Sequence, residues 1–197
     1  MERLSLNNLR FWDWYALYKI AKHPEFFYRA LNDNKSPCLW RVTRYIGLSL
    51  MADHFHTGDR LVKAIRLDGQ LVGCVLLAEI DWLQTGHAYV GLFISPHYQR
   101  HGVGRKAFLR FLDWAMENTA CQLLEANVHP NNQASLKILT KAGLTHFKNI
   151  AAEDGCFLSK DGSKEPRTVL RGARSDVSIA LEQARQTGAY SKEIAVT

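Results

Sequence analysis

Long apolar runs are missing from this chain of 197 residues, and no window approaches the roughly 18 consecutive apolar residues of a membrane-spanning helix. The opening Met1-Glu2-Arg3-Leu4-Ser5-Leu6 is polar and alternating. It lacks the apolar stretch and small-residue cleavage site of a secretory signal. Cys38, Cys74, Cys121 and Cys156 are far apart and form no C-x-x-C pair, which excludes thiol-based zinc and redox motifs. Reduced thiols in a cytoplasmic protein are the expectation, with no metal. Lys/Arg-rich runs are also absent: the formal net charge of +6 is dispersed. Such an excess fits an anionic ligand, RNA or an acidic surface, and equally a solvated surface. The RNA reading rests on charge alone.

What is present suits one α/β domain over residues 1–197, with 47% apolar and 22% charged residues. Residues 3–6 alternate like a short strand. Residues 9–21 repeat at helical spacing, with Asn7 or Asn8 available as cap and Pro24 beyond the end. A second helical pattern near 42–51 predicts a flap. Strands are expected at 61–67, 71–80 and 88–94, with Asp68-Gly69 as a hairpin turn between the first two. These make an antiparallel meander. A helix is expected at 102–118, a strand at 123–128, a helix at 132–142 stopped by Gly143, and a strand at 144–150. Residues 153–174 show no period and are expected to form a long loop. Residues 176–181 alternate as a last strand, and 184–197 are expected to be a tail.

The chemistry concentrates at Gln99-Arg100-His101-Gly102-Val103-Gly104, between a strand and a helix. A helix N-terminus leaves N–H groups unpaired and carries partial positive charge. Glycines let the backbone approach an anion closely. Together they make a phosphate site, to which Arg100 and Arg105 add charge. The spacing is neither the dinucleotide fingerprint nor the P-loop, which needs Lys-Ser/Thr.

The loop, with Asn132-Gln133-Ala134-Ser135 and Lys141-Ala142-Gly143-Leu144 further on, resembles the GNAT superfamily of N-acetyltransferases: Q/R-x-x-G-x-G/A, then N-x-x-S and K-x-G-F. Leu144 replaces the phenylalanine. Glu2-Arg3-Leu4-x-Leu6, Pro24-Glu25, Leu71-Val72-Gly73 and Ala88-Tyr89-Val90-Gly91 are similar to the subgroup that acetylates ribosomal-protein N-termini. The resemblance covers about residues 1–150. It implies a GNAT fold, a mixed, mostly antiparallel sheet flanked by helices, with acetyl-CoA wedged where central strands splay. Phe93 and Ile94 would meet the pantetheine arm through their backbone. Gln99, Arg100, His101, Gly102, Val103, Gly104 and Arg105 would cradle the pyrophosphate, and Asn132 would contact the cofactor from the second helix.

Acetyl transfer needs a base, an attacking amine in place, and stabilisation of the oxyanion and the leaving thiolate. Leu139 stands where many relatives have a tyrosine acid, and Ser135 is the nearest hydroxyl, either as acid or merely packed at the helix start. Tyr89 stands where many relatives have a glutamate base. Glu79, Asp81 and Glu125 are alternative carboxylates, each also explained as a turn, surface or cross-strand residue. His54 and His56 fall near the flap. Phe11, Trp12, Trp14, Tyr15 and Tyr18 either line an acceptor groove or pack in the core, with Trp12 off the main stripe. The expected acceptor is a primary amine. It is either a protein N-terminal α-amine or a small molecule (an antibiotic, a polyamine or an amino acid derivative). A CoA-binding module without turnover is a further reading, and a homodimer is compatible with the sequence.

Overall fold

Asp68 and Gly69 sit where the chain reverses between two apolar strands. Both take left-handed φ values, 48° and 82°, the pair that a tight hairpin turn of the primed type requires. The turn joins β2 (Arg60–Leu67) to β3 (Gln70–Asp81) with Leu67 opposite Gln70. β4 (His87–Ile94) pairs antiparallel with β3, and β1 (Leu4–Asn8) pairs antiparallel with β2. The expected meander is thus present.

The structure, a computed structural model, describes residues 3–21, 43, 44, 47, 60–81, 86–154 and 163–191. Beyond β4 come α2 (Val103–Asn118), β5 (Leu123–Val128), α3 (Gln133–Lys141), β6 (Thr145–Ile150), β7 (Arg167–Ala173) and α4 (Arg174–Gln186); α1 (Trp14–Ala21) follows β1. The seven strands form one sheet in the order β1-β2-β3-β4-β5-β7-β6. Among the described strands only the β4–β5 pair is parallel, and a parallel pair needs a crossover, which α2 supplies.

Side chains of a strand alternate between faces, and the two faces here are covered differently. Ala88, Val90 and Ile94 of β4 and Leu124, Ala126 and Val128 of β5 join Phe108, Phe111 and Leu112 of α2 and Val177 and Leu181 of α4 in one core. Full burial of each large side chain contributes about 1.5–3 kcal/mol. Across the sheet, Leu17 and Ile20 of α1 meet Val62, Ala64 and Cys74. His87, Tyr89 and Phe93 of β4 and Glu125 and Asn127 of β5 therefore project away from α2. Polar ties hold the helices. The Arg174 guanidinium donates to the carbonyls of Met116, Thr119 and Cys121 at the end of α2, where helical partners run out. Arg185 of α4 pairs with buried Asp113 of α2.

Four expectations are corrected. Asn7 and Asn8 do not cap a helix, because both belong to β1, opposite Ala64 and Lys63. The N-cap position is Arg10, and Asp13 three residues on reaches back to it, its carboxylate accepting the Arg10 N–H at 2.7 Å and pairing with buried Arg66 at 2.6 Å. The loop expected at 153–174 contains β7, whose arginines hide the strand pattern because both are paired, Arg171 with Glu125 and Arg167 with Glu165. The strand expected at 176–181 is the first half of α4. Val177, Ile179 and Leu181 mimic a two-residue period, yet only Val177, Leu181 and Ala184 are buried, at helical spacing, and Ile179 is exposed. The expected tail begins inside α4, and Tyr190 beyond it is buried, accepting a bond from Arg185. His54, His56 and most of the expected flap lie outside the described residues; of the flap, Thr43, Arg44 and Gly47 are described and are helical.

Gly143 and Gly188 end α3 and α4 in the same way. Each has a positive φ, and the N–H after it reaches back to the carbonyl five residues earlier, Leu144 to Leu139 and Ala189 to Ala184. Their surroundings differ: a Cβ on Gly143 would lie 2.7 Å from the Asp176 carbonyl oxygen, whereas one on Gly188 meets nothing within 4 Å. Gly188→Ala is expected to cost about 1 kcal/mol, the strain of a left-handed residue. Gly143→Ala adds overpacking of roughly 1–3 kcal/mol. Urea unfolding midpoints of the two variants measure the difference, and equal costs would refute the close approach.

Candidate active site

β4 and β5 are paired at three positions only: His87 with Leu123, Ala88 with Leu124 and Tyr89 with Glu125. Past that point each strand keeps its outer neighbour. Val90 to Ile94 stay registered with Leu77 to Gly73 of β3, and Ala126 to Val128 stay registered with Leu170 to Thr168 of β7. The sheet therefore opens into a V, with Tyr89 and Glu125 at its vertex. Strand edges without a neighbour are templates for pairing with an extended molecule.

The Gly-containing loop lies at the open end of the V. Gln99 folds back to donate its side-chain amide to the Ile94 carbonyl at 2.9 Å, fixing the loop to the end of β4. Arg100 and Gly102 both have positive φ, 65° and 76°. α2 begins at Val103 without any side-chain cap on Gly102 and without an acidic residue in its first turn. The first main-chain bond to close runs from Lys106 to Gly102, so the N–H groups of Val103, Gly104 and Arg105 point out of the helix end. At Gly104 a Cβ would come within 3.2 Å of Ile94 Cγ1, which explains how this turn can pack directly on β4. Arg100 and His101 are exposed, and Val103 is buried. Arg105 is half-buried, with its Nε buried and unpartnered among the described residues.

Asn132 caps α3, accepting the Ser135 N–H at 3.2 Å. The N-x-x-S pattern is thus first a capping device. Ser135 is half-buried, and its hydroxyl has no partner among the described residues. Leu139, 6% exposed, belongs to the core.

Tyr89 is half-buried, its ring 5.1 Å from that of His87. Glu125, 4% exposed, accepts from Arg171 Nε at 2.6 Å and lies 3.8 Å from His87 Nε2. Its cross-strand pairing is now explicit. Asn127, two residues on and on the same face, has a buried side-chain oxygen without a partner among the described residues. Glu79 follows Ala78, the partner of Tyr89 in β3, but its side chain lies outside the described residues, as does that of Asp81.

The structure thus brings Tyr89 and Glu125 together, ties Gln99 to Ile94, and ties Asn132 to Ser135. His87, Asn127 and Arg171 were missed from sequence. Among the early aromatics, Phe11, Trp12 and Tyr15 are exposed, against the core reading, because the buried side of this segment carries Asp13, Leu17 and Ile20. Trp12, at 68% exposure, lies off that side as expected.

The chain matches the family model of the acetyltransferase (GNAT) domain over residues 3–145, which takes in the V, the loop and α3. The probable N-acetyltransferase YjcK of Bacillus subtilis (strain 168) is 33% identical over 116 residues, a match spanning 58% of this chain and 60% of that protein. Among solved structures, Mycobacterium smegmatis RimJ in complex with CoA-disulfide has a TM-score of 0.79 at 16% identity, covering 94% of this chain and 90% of that one. Spermidine N-acetyltransferase from Vibrio cholerae in complex with CoA and spermine has a TM-score of 0.74 at 16% identity, covering 89% and 98%. At these identities the structural likeness shows the fold.

Cys74 and Cys121 are buried, and burial pushes both thiols above their ordinary range; the Asp13 carboxylate adds to the effect at Cys74. Both are neutral thiols at neutral pH and poor nucleophiles. Brief maleimide labelling of the native protein at pH 7, mapped by peptide mass spectrometry, is expected to leave them unmodified until denaturant is added. Rapid native labelling of Cys74 would contradict the burial.

Proposed function

The chain belongs to the GNAT acetyltransferase family, and on that premise we propose that it transfers an acetyl group from acetyl-CoA directly to a primary amine. The observation that carries the reading is the uncapped N-terminus of α2 at the open end of the β4–β5 V. The residues fit the cosubstrate. Outward N–H groups, Arg100 and the unpartnered Nε of Arg105 suit a pyrophosphate. The unpaired strand edges and the unpartnered Asn127 oxygen suit the amides of a pantetheine arm, beside Phe93 and Ile94. The partners are acetyl-CoA and an amine, and no metal enters the scheme.

In this reading the amine nitrogen attacks the thioester carbonyl, the C–S bond breaks, and CoA leaves as the thiol. The proton of the ammonium passes through water to a carboxylate, for which Glu79, next in β3 to the partner of Tyr89, is the candidate. As the amide forms, the nitrogen gives up a second proton, and Ser135 relays it to the leaving sulfur, donating its hydroxyl proton and taking this one in return. Tyr89, at the vertex, orients the acceptor. Glu125 is bound to Arg171 and acts by holding that arginine. The resemblance favours a protein N-terminal α-amine, and relatives that act on spermidine keep a small amine in view. A silent CoA-binding module is the second reading, favoured by the buried Leu139 in place of a tyrosine.

Gly102→Val tests the loop. Its site is sterically open, so the change costs about 1–2 kcal/mol of backbone strain and leaves the protein folded. Acetyl-CoA affinity by calorimetry is expected to fall at least about tenfold, a loss of 1.4 kcal/mol. Unchanged affinity would remove the loop from the cofactor site. Thiol release is then measured across a panel of amines. Ser135→Ala is expected to lower kcat by about 10²-fold with acetyl-CoA affinity retained. Cofactor binding without release from any amine would favour the silent module.

A further inference from the structure

The face of the sheet turned away from α2 carries a connected set of side chains across four strands. His87 of β4 lies 3.8 Å from Glu125 of β5. Glu125 binds Arg171 of β7, and the Arg171 Cζ lies 3.6 Å from the centroid of Phe147 of β6. The last contact depends on a break in register. His146 is opposite Leu170 and Lys148 opposite Val169, so Phe147 is the extra residue of a bulge. Bulges re-aim side chains, and this one accompanies a ring laid on a guanidinium.

Arg171 is held twice, by a buried carboxylate at Nε and by an aromatic face. Its side chain is 35% exposed, and its two terminal nitrogens have no partner among the described residues. They form the end-on fork that matches a carboxylate, already oriented. Lys148 Nζ, 5.8 Å from the same ring, adds positive charge on that side. The Glu125 charge is spent on Arg171 Nε, so the exposed end of the array is cationic. It also stands at the reacting end of the V, because Arg171 is registered with Glu125 and Glu125 with Tyr89 at the vertex.

We propose that Arg171, oriented by Glu125 and Phe147, is the specificity determinant of the acceptor site and selects an amine that also carries a carboxylate. The inference rests on the acetyl-transfer reading above. The shared chemistry is an amine with an anionic group near it, whether a free amino acid or a peptide with an acidic residue beside its N-terminus.

The test compares matched acceptors, glycine against glycinamide and Ser-Glu-Glu-Phe-amide against Ser-Gln-Gln-Phe-amide, by thiol release. The acid of at least one pair is expected to have a KM lower by about tenfold or more, the scale of a charge-assisted hydrogen bond. The pair that discriminates identifies the source. Arg171→Gln should abolish the difference by raising KM for the acidic acceptor. Arg171→Gln also strips a buried carboxylate of its partner, so Arg171→Lys and Phe147→Ala are run beside it. Both keep a cation near Glu125 and are expected to lose most of the discrimination, because a lysine has no fork and a guanidinium without its ring is not oriented. A calorimetric arm with the N-acetylated products and CoA needs no turnover. Absence of thiol release from every amine would sink acetyl transfer, while this arm still decides the fork. Equal affinity for acidic and neutral ligands in the wild-type protein, or discrimination that survives Arg171→Lys and Phe147→Ala intact, would overturn the proposal.

Discussion

Three paired positions between β4 and β5 set the terms for the remainder of the structure. A parallel pair requires a crossover, and α2 makes it, so its N-terminus starts where β4 ends. A pair that parts after Tyr89 and Glu125 leaves two strand edges that no longer share a ladder. The cost of that opening is contained because each strand keeps its other neighbour along the divergent stretch, β4 on β3 and β5 on β7. The strand edges and the helix end then present unpaired main-chain groups in one place, which suits a long, polar, anionic cosubstrate.

The two faces of the sheet divide the labour. On the α2 side, Phe108, Phe111 and Leu112 fill a dry core, and the polar groups at its border are paired, Asp113 with Arg185 and the final carbonyls of α2 with Arg174. On the other side the vertex is polar, with Glu125, Arg171 and His87 close together. A carboxylate as buried as Glu125 is tolerable only with a partner, since an isolated buried charge is strongly disfavoured. The same pairing that makes Glu125 tolerable makes Arg171 rigid.

The meander, α2, β5 and α3 were legible in the sequence because their signals are local: a two-residue period, an Asp-Gly turn, an apolar helical side, a capping Asn132 and a terminal Gly143. The loop was legible for the same reason, as glycines before a helix. β7 and α4 were not. Arg171 of β7 takes its partner on β5 and Thr168 its partner on β6, so the pattern has meaning only after folding. Val177, Ile179 and Leu181 fit a strand and a helix equally until burial shows which of them face the core. Arg171 was invisible for the reason that makes it interesting: its orientation comes from Glu125, 46 residues earlier, and from a bulge in β6.

The strand order has a consequence for how the molecule comes into being. β7, the last of the described strands, lies between β5 and β6, both made before it. Until residues 167–173 leave the ribosome, β6 has no strand beside it, and β5 hangs on β4 by three positions. A nascent chain folding from its N-terminus can complete the meander early, but one arm of the V must wait. One arm of the V is therefore secured only once residues 167–173 have been made, a late stitch that fastens strands laid down before it.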